Sequence, residues 1–279
     1  MDLIIQPDDG LTPLLQAVRH AKTKIDILIF RFDRAELEDA LEAAVGRGVV
    51  VRALIAHTNR GGEKVLRKLE LKMLEKGVSV ARTADELLRY HGKMMIVDDE
   101  LYVLGFNYTK LDIDKSRSFG IVTRDRKIVA EAHKLFEADA LRQSYAPDHQ
   151  RLVVSPENSR ALLTAFVKGA RRELLIYDGQ VSDNAVQKVL ADRAANGVQI
   201  RILGALEKDI DGIKVRKLAP MRLHVRAIVR DGSEAFVGSQ SLRKLELDER
   251  REVGLITKDR RTVGQIARVF DADWKANRG

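Results

Sequence analysis

The chain has 279 residues and no cysteine, which excludes both a disulfide framework and a thiolate metal site. No apolar run is long enough to span a bilayer, so we expect no transmembrane segment. The first residues lack the basic and apolar regions of a secretory signal peptide, which predicts a cytoplasmic location. Aromatic residues make up only 5% of the chain, leaving little material for base-stacking platforms or an aromatic membrane belt.

The residues that are present describe a globular and basic protein. Apolar residues make up 45% and charged residues 32% of the chain, which is typical of a folded domain rather than a disordered one. The net charge of +8 favours an anionic partner, such as nucleic acid, an anionic membrane surface or a phosphorylated small molecule. The basic residues are dispersed, so charge alone does not choose among these partners.

One pattern of residues runs through the chain twice. The matches include Pro7 and Pro156, Gly48 and Gly197, and the segments 136–139 and 270–273. A repeat of this length indicates an internal duplication. We expect two similar domains, over residues 1–147 and 148–279, divided in a polar stretch that contains proline.

Each half predicts the same order of elements: strand, helix, strand, helix, strand, a hairpin, a further strand and a helix. Apolar runs at 25–30 and 174–177 predict buried strands, and helical spacing at 37–45 and 185–195 predicts helices. This alternation indicates an α/β fold of two similar lobes, each with a central mixed sheet flanked by helices.

The first half carries an insert within residues 58–76. A stripe of apolar residues on a lysine-rich helix is predicted there, comprising Leu66, Leu69, Met73 and Leu74. We expect this amphipathic helix to pack on its lobe, the alternative being a cationic helix that holds a polyanion or a membrane.

A histidine motif is the most informative part of the repeat. Each copy places a histidine two residues before a cation, seven before an aspartate and fourteen before a glycine. Alternate residues of a strand share one face, so each histidine and its cation should point the same way. If the halves pack about a pseudo-twofold axis, both pairs meet in one cleft at the lobe interface. The two quartets are His91, Lys93, Asp98, Gly105 and His224, Arg226, Asp231, Gly238.

Two imidazoles and two cations suffice for phosphodiester chemistry without a metal. The cations bind phosphoryl oxygens, one imidazole attacks phosphorus to form a phosphohistidine, and the other protonates the leaving oxygen. A metal site is disfavoured because a cation would lie beside each histidine and no acidic or thiolate ligands cluster nearby in the sequence. A purely structural repeat is the further alternative.

The pattern His-x-Lys-x4-Asp-x6-Gly resembles the twice-repeated motif of the phospholipase D superfamily, with Arg226 replacing lysine in the second copy. The resemblance covers nearly the whole chain and implies a two-lobed α/β fold with the active site between the lobes. It also implies that no metal or other cofactor is required. The superfamily includes phospholipases, cardiolipin and phosphatidylserine synthases, nucleases and DNA-end-processing phosphodiesterases.

The chain departs from the superfamily pattern after each glycine. The superfamily usually has a small residue and then an asparagine two positions further, whereas Tyr108 stands at the first asparagine position and Ser241 at the second. We expect the substrate phosphate to be bound by Lys93, Arg226, Asn107, Ser239 and Ser241.

Relatives often place a carboxylate or amide downstream of each histidine to orient its ring. Glu252 fills this position in the second half and Ser118 in the first. Our hypothesis is that Glu252 lies beside His224, raises its pKa and makes it the general acid. His91, with only a hydroxyl partner, would then be the neutral nucleophile. The catalytic set is His91, His224, Lys93, Arg226 and Glu252, and the supporting set is Asp98, Asp231 and Ser118.

The sequence thus predicts a phospholipase D-like phosphodiesterase that hydrolyses or transfers at a phosphodiester, with a phospholipid favoured as substrate. The alternatives are a nuclease or DNA-end phosphodiesterase, and an inactive phosphate- or nucleic-acid-binding module if Arg226 and Ser241 weaken the second motif. In each case the expected partner is an anionic phosphodiester, reached by peripheral contact with a membrane or DNA.

Overall fold

The structure, a computed structural model, describes residues 1–59, 61–219 and 221–277. It contains two eight-stranded mixed sheets flanked by helices, which confirms the predicted α/β fold of duplicated lobes. The elements of the first half are β1 (Asp2–Gln6), α1 (Thr12–His20), β2 (Lys24–Ile29), α2 (Ala35–Gly46), β3 (Val50–Ile55), α3 (Gly62–Glu75), β4 (Ser79–Arg82), β5 (Arg89–Tyr90), β6 (Met94–Val97), β7 (Glu100–Leu104), α4 (Lys110–Asp114), β8 (Ser116–Thr123) and α5 (Arg126–Ala140).

The second half repeats most of this order. Its elements are β9 (Leu152–Ser155), α6 (Ser159–Lys168), β10 (Glu173–Val181), α7 (Asn184–Ala195), β11 (Gln199–Leu206), β12 (Ile213–Arg216), β13 (Arg222–Leu223), β14 (Ala227–Arg230), β15 (Glu234–Gly238), α8 (Lys244–Asp248), β16 (Arg250–Thr257) and α9 (Arg260–Ala276). The apolar runs and helical segments identified in the sequence lie in β2, β10, α2 and α7.

The strand order is the same in the two sheets. The first sheet runs β1-β8-β7-β6-β2-β3-β4, and the second runs β9-β16-β15-β14-β10-β11-β12. In both, a parallel group is joined to an antiparallel meander through the pair β2–β6 or β10–β14. The central strands are apolar on both faces because helices or the other lobe cover them.

Two short strands cross between the lobes. β5, from the first half, pairs in parallel with β16, and β13, from the second half, pairs in parallel with β8. Each of these two-residue strands directly precedes a motif histidine, His91 after β5 and His224 after β13. Each histidine therefore enters its own sheet from a contact with the opposite lobe.

The lobes also share a hydrophobic core. One cluster of buried side chains contains residues of both halves, from Leu28 to Trp274. Within it the ring of Tyr177 lies 5.6 Å from that of Phe119 and 5.0 Å from that of Phe270, both edge-on. Because this core is continuous across the interface, the residues on either side of it hold fixed positions relative to one another.

The insert forms the amphipathic helix α3, packed on the first lobe as predicted. Leu66, Leu69 and Met73 are buried, whereas Leu74 is 49% exposed. The inclusion of Leu74 in the buried stripe is therefore wrong, because the residue after Met73 is rotated by about 100° around the helix axis. Arg60, within the insert, lies outside the described residues. In the part of the chain that the structure describes, no helix is long and apolar enough to cross a membrane.

Candidate active site

The motif aspartates lie at the turns of the two hairpins. Asp98 and Asp231 adopt left-handed backbone conformations, with φ of 49° and 55°. The Asp98 carboxylate accepts hydrogen bonds from the backbone N–H groups of residues 22–24 at 2.9 to 3.0 Å. Asp231 accepts the equivalent bonds from residues 171–173. These carboxylates tie each hairpin to the start of the neighbouring strand, and their supporting role in the chemistry stays a prediction.

The motif glycines lie where neighbouring strands approach one another closely. A Cβ atom on Gly105 would lie 2.9 Å from the carbonyl oxygen of Phe119 and 3.2 Å from that of Gly238. A Cβ atom on Gly238 would lie 2.6 Å from the Cα of Gly254. The distances of 2.9 and 2.6 Å are shorter than side chains tolerate, so glycine is needed at both positions for each motif strand to pack against β8 or β16 of its own lobe.

His91 lies between a carboxylate of the opposite lobe and the aromatic ring of a residue in its own lobe. Its Nδ1 is 2.9 and 3.0 Å from the two carboxylate oxygens of Glu252, which is fully buried. Its backbone N–H donates to the carbonyl oxygen of Arg251 at 2.7 Å, and its ring meets that of Phe30 edge-on at 4.6 Å. The predicted pairing of Glu252 with His224 is therefore wrong: β16 crosses to the first histidine.

Lys93 is buried against the same ring. Its Nζ lies 2.9 Å from both ring nitrogens of His91 and donates to the His91 carbonyl oxygen at 2.5 Å. Burial lowers the pKa of Lys93 to about 7, although Glu252 opposes the shift. Burial, with the positive charges of Lys93 and Arg226, also holds the pKa of His91 well below its usual range, so its ring is neutral at pH 7.

His224 has a different environment from His91. Its backbone N–H donates to the carbonyl oxygen of Arg117, and its own carbonyl oxygen accepts from the Ser118 hydroxyl at 3.3 Å. Among the described residues its buried Nδ1 has no hydrogen-bond partner. Its Nε2 lies 3.6 Å from a carboxylate oxygen of Asp112.

The pKa of His224 also differs from our expectation. Burial and the charge of Arg226 hold it well below its usual range, although Asp112 opposes the shift. The predicted rise in this pKa is therefore wrong, because the carboxylate that was to cause it lies beside His91. Ser118, at the equivalent position in the first half, contacts only the backbone of His224.

Arg226 occupies the place equivalent to Lys93. Its guanidinium donates to the His224 carbonyl oxygen at 3.2 Å and to the Ser241 hydroxyl at 3.3 Å. The charge of Arg226 lowers the pKa of His91, and that of Lys93 lowers the pKa of His224. The structure therefore brings both motif pairs into one electrostatic cluster between the lobes.

The polar residues that follow each glycine are buried and engaged with protein partners. The Asn107 side-chain amide donates to Asp112 at 2.6 Å. Burial raises the pKa of Glu252 overall, and the hydrogen bond from Ser239 opposes this shift. Ser241 accepts the bond from Arg226. These contacts support the charged residues of the site, and direct binding of phosphate by the three residues stays a prediction.

Sequence reasoning missed Asp112, the residue of helix α4 whose carboxylate lies beside His224. It accepts from the backbone and side chain of Asn107 and from Arg222 at 2.5 Å. Burial opposes its ionisation, but His224, Asn107 and Arg222 together lower its pKa to about 2. The signal was present, since the segment 110–114 is repeated at 244–248 with a glutamate, Glu246, in the same place.

A cavity of about 490 Å³ lies against α2, α3 and the start of α4, and none of its lining residues belongs to the histidine cluster. Its lining mixes apolar side chains with charged ones of both signs, among them Phe32, Leu69, Leu111, Lys68 and Glu38. Across residues 1–59, 61–219 and 221–277, no group of three or more His, Asp or Glu side chains is arranged to hold a metal ion.

Comparisons with known proteins identify the family of the chain. The family model described as "Cardiolipin synthase, PLD-like domain" matches residues 14–140 and 163–274. Mitochondrial cardiolipin hydrolase from Danio rerio is 24% identical over 148 residues, which cover 53% of this chain and 62% of that protein, less than two thirds of its length.

Two solved structures share the fold. Polyphosphate kinase from Porphyromonas gingivalis superposes with a TM-score of 0.81 at 18% identity, over 98% of this chain and 50% of that chain. Phosphatidylserine synthase from Haemophilus influenzae Rd KW20 superposes with a TM-score of 0.73 at 11% identity, over 99% of this chain and 86% of that one. Since the family model matches most of both halves, the chain belongs to the cardiolipin synthase, phospholipase D-like domain family, a family of phosphodiesterase type.

Proposed function

We propose that the chain is a metal-independent phosphodiesterase that forms a phosphohistidine on His91. The observation that carries this proposal is the position of Glu252, 2.9 and 3.0 Å from Nδ1 of that histidine. A carboxylate that accepts the Nδ1 hydrogen leaves the lone pair of the ring on Nε2 and stabilises the positive charge that grows during attack. The lowered pKa of His91 keeps this lone pair available at neutral pH.

The reaction balances with the residues present. Nε2 of His91 attacks phosphorus, the bond to the leaving oxygen breaks, and His224 gives that oxygen a proton. Water or an alcohol then attacks phosphorus, its proton passes to His224, and the bond between nitrogen and phosphorus breaks. Lys93 and Arg226 stabilise the charge on the phosphoryl oxygens in both steps.

His224 must be protonated to act as the acid, although its pKa is low in the substrate-free protein. An anionic phosphodiester neutralises the repulsion from Arg226 and Lys93, while the Asp112 carboxylate at 3.6 Å favours the imidazolium. Binding of substrate therefore raises the pKa of the acid at the stage when its proton is required.

We favour a phospholipid over a nucleic acid as the substrate and assign its hydrocarbon chain to the cavity against α2, α3 and the start of α4. Two of its lining residues reach the histidines through one neighbour each: Asn59 donates to the Phe30 carbonyl oxygen, and Thr109 accepts from the backbone of Asp112. The apolar part of its lining, which includes Val65, Leu69 and Leu111, suits a hydrocarbon chain, and charged side chains such as Lys68 and Glu38 share the lining. The names of the family and of the Danio rerio relative point to the same substrate class.

A panel of substrates tests the reaction. Purified protein in EDTA would receive bis-p-nitrophenyl phosphate, phosphatidylcholine or phosphatidylglycerol vesicles, and single- and double-stranded DNA, alongside a His91→Ala variant. We expect vesicle hydrolysis or headgroup transfer that the variant lacks, and a trapped adduct on His91. DNA cleavage with inert vesicles supports the nuclease, and no turnover of any diester supports the binding module. Loss of activity in EDTA contradicts metal independence, and an adduct on His224 reverses the assignment of the nucleophile.

The role of the cavity is tested by placing charge on its rim. Val65 and Leu111 line it and are 54% and 48% exposed, so aspartate at either position should leave the fold intact. Full burial of such a side chain contributes about 1.5–3 kcal/mol, and since about half of each is already buried, contact with a hydrocarbon chain adds about 0.8–1.5 kcal/mol, which predicts a loss of roughly 4- to 13-fold on vesicles. Turnover of bis-p-nitrophenyl phosphate should not change. Val50→Asp, at a residue 55% exposed outside the cavity, is the matched control.

A further inference from the structure

A second set of repeated polar residues lies outside the catalytic cluster. Its centre in the first lobe is Arg117, on β8. This arginine donates to both carboxylate oxygens of Asp273 at 2.9 and 3.2 Å, to the carbonyl oxygen of Gln6 at 3.0 Å and to Asp8 at 3.2 Å. Asp273 belongs to α9 of the second half, so this network crosses the lobe interface.

The second lobe contains the same network around Arg251, on β16. This arginine lies 3.0 Å from a carboxylate oxygen of Asp139, donates to the carbonyl oxygen of Ser155 at 3.0 Å and also pairs with Glu157. Asp139 belongs to α5 of the first half, so the direction of the crossing is reversed. We call the pairs Arg117–Asp273 and Arg251–Asp139 the two interlobe clamps.

Each member of one clamp matches a member of the other in the sequence repeat. The aspartates end the segments 136–139 and 270–273. Asp8 and Glu157, which we call the outer acids, each follow one of the matched prolines of the repeat. Both arginines and both aspartates are buried. The proposed chemistry uses none of these residues, although the repeat preserves them together with the motif histidines.

The clamps are joined to the histidines through the backbone. The carbonyl oxygen of Arg251 accepts from the backbone N–H of His91 at 2.7 Å, and that of Arg117 accepts from His224 at 3.1 Å. Arg251 also directly precedes Glu252, whose carboxylate meets the His91 ring. Each clamp thus fixes a strand of one lobe at the point where it holds the histidine of the other.

We propose that the two interlobe clamps are positioning devices, with Arg251–Asp139 setting the placement of His91 and Arg117–Asp273 that of His224. The kinetic consequence rests on the proposed phosphohistidine mechanism, whereas the placement of the rings does not.

The clamps differ in one respect. The Tyr177 hydroxyl donates to Asp273 at 2.6 Å, while among the described residues one carboxylate oxygen of Asp139 has no partner.

Asparagine at each aspartate separates the two clamps. Asp139→Asn should slow the first burst of p-nitrophenolate from bis-p-nitrophenyl phosphate, because His91 makes the attack. Asp273→Asn should slow the steady-state rate that follows, because His224 activates the water that releases the phosphohistidine. A displacement of about 1 Å at a reacting group lowers a rate by about 10²-fold, which is the size of effect expected in each case.

Nitrogen-15 spectra of the histidine rings provide a reading that does not depend on turnover. We expect the ring signals of His91 to shift in Asp139→Asn and those of His224 in Asp273→Asn, each assigned with the corresponding His→Ala variant. If the wild-type protein shows no burst, the proposed mechanism fails while these spectra still decide the placement.

Variants of the outer acids provide a second test in case the aspartate variants do not fold. Glu157→Gln and Asp8→Asn keep both central pairs and should give smaller shifts of the same histidine signals, His91 and His224 respectively. Ring signals that stay unchanged in all four folded variants would overturn the proposal. So would equal loss of both kinetic phases in step with thermal stability, since that is the result of a purely structural role.

Discussion

Replacing Glu252 by glutamine removes one charge from the catalytic cluster while keeping the size of the side chain and an acceptor for Nδ1 of His91. The magnitude follows from the 2.9 Å separation. At an effective dielectric constant of about 20, two full charges at that distance interact by roughly 6 kcal/mol. A ring that carries about half a charge in the transition state loses about 3 kcal/mol, which predicts a burst slowed by about 10²-fold.

The same substitution should make the protein more stable at neutral pH. Burial raises the pKa of Glu252, so the folded state disfavours its ionised form and loses stability as pH rises through that pKa. Glutamine has no such loss. A variant that is slower and yet melts at a higher temperature at pH 7 to 8 would therefore report the cost of holding this carboxylate ionised beside the histidine.

Stopped-flow measurement of the p-nitrophenolate burst in EDTA, with thermal melts across pH, tests both expectations. Glu131→Gln is the control, since Glu131 is also a buried carboxylate but bonds to Tyr145 and the backbone of Asp148, away from the histidines. A Glu252→Gln protein that is folded and keeps the wild-type burst would refute the reasoning that this carboxylate supports attack by His91.

Three further changes have defined outcomes. The pKa of Lys93, about 7, predicts that kcat/KM falls above neutral pH as the ammonium loses its proton, and that Lys93→Arg removes this alkaline limb from the pH profile. Asp98→Ala loses hydrogen bonds to three backbone N–H groups and should lower the free energy of unfolding in urea by about 2–4 kcal/mol. Gly105→Ala places a methyl group 2.9 Å from the Phe119 carbonyl oxygen and should lower Tm, whereas Gly46→Ala, with no atom within 4 Å, should not.

The fold was predictable because each half of the sequence shows the same pattern of strands and helices. The apolar runs that became β2 and β10 and the helical spacing of α2 and α7 occur at matching positions in the two halves. A pattern that occurs twice rarely arises by chance. The spacing of the histidine motif then indicated where the two halves meet. The duplication therefore carried most of the architectural information.

The pairing of Glu252 was not predictable from the alignment of the halves. A repeat shows which positions are equivalent, but it does not show whether a residue serves its own half or the other. That choice depends on β5 and β13, strands of two residues whose sequences show no alternation. Their register against β16 and β8 decides which histidine meets the carboxylate and which meets Ser118.

Asp112 illustrates a different limit. The segment around it repeats at Glu246, yet the two carboxylates have different neighbours: Asp112 faces His224, and Glu246 pairs with Arg243 and Arg250. Equivalence in sequence did not extend to equivalence in partner, because the arginines that neutralise Glu246 have no counterpart at the same places near Asp112.

The exchange of β5 and β13 has a consequence for how the two histidines can differ. Since the ring of one histidine is oriented from the opposite half, a homodimer of identical halves would give both histidines the same partner. Here both halves lie on one chain, so Glu252 is retained on one side while Ser118 stands on the other. Covalent fusion thus permits a division of labour between two sites of common origin that symmetry would otherwise forbid.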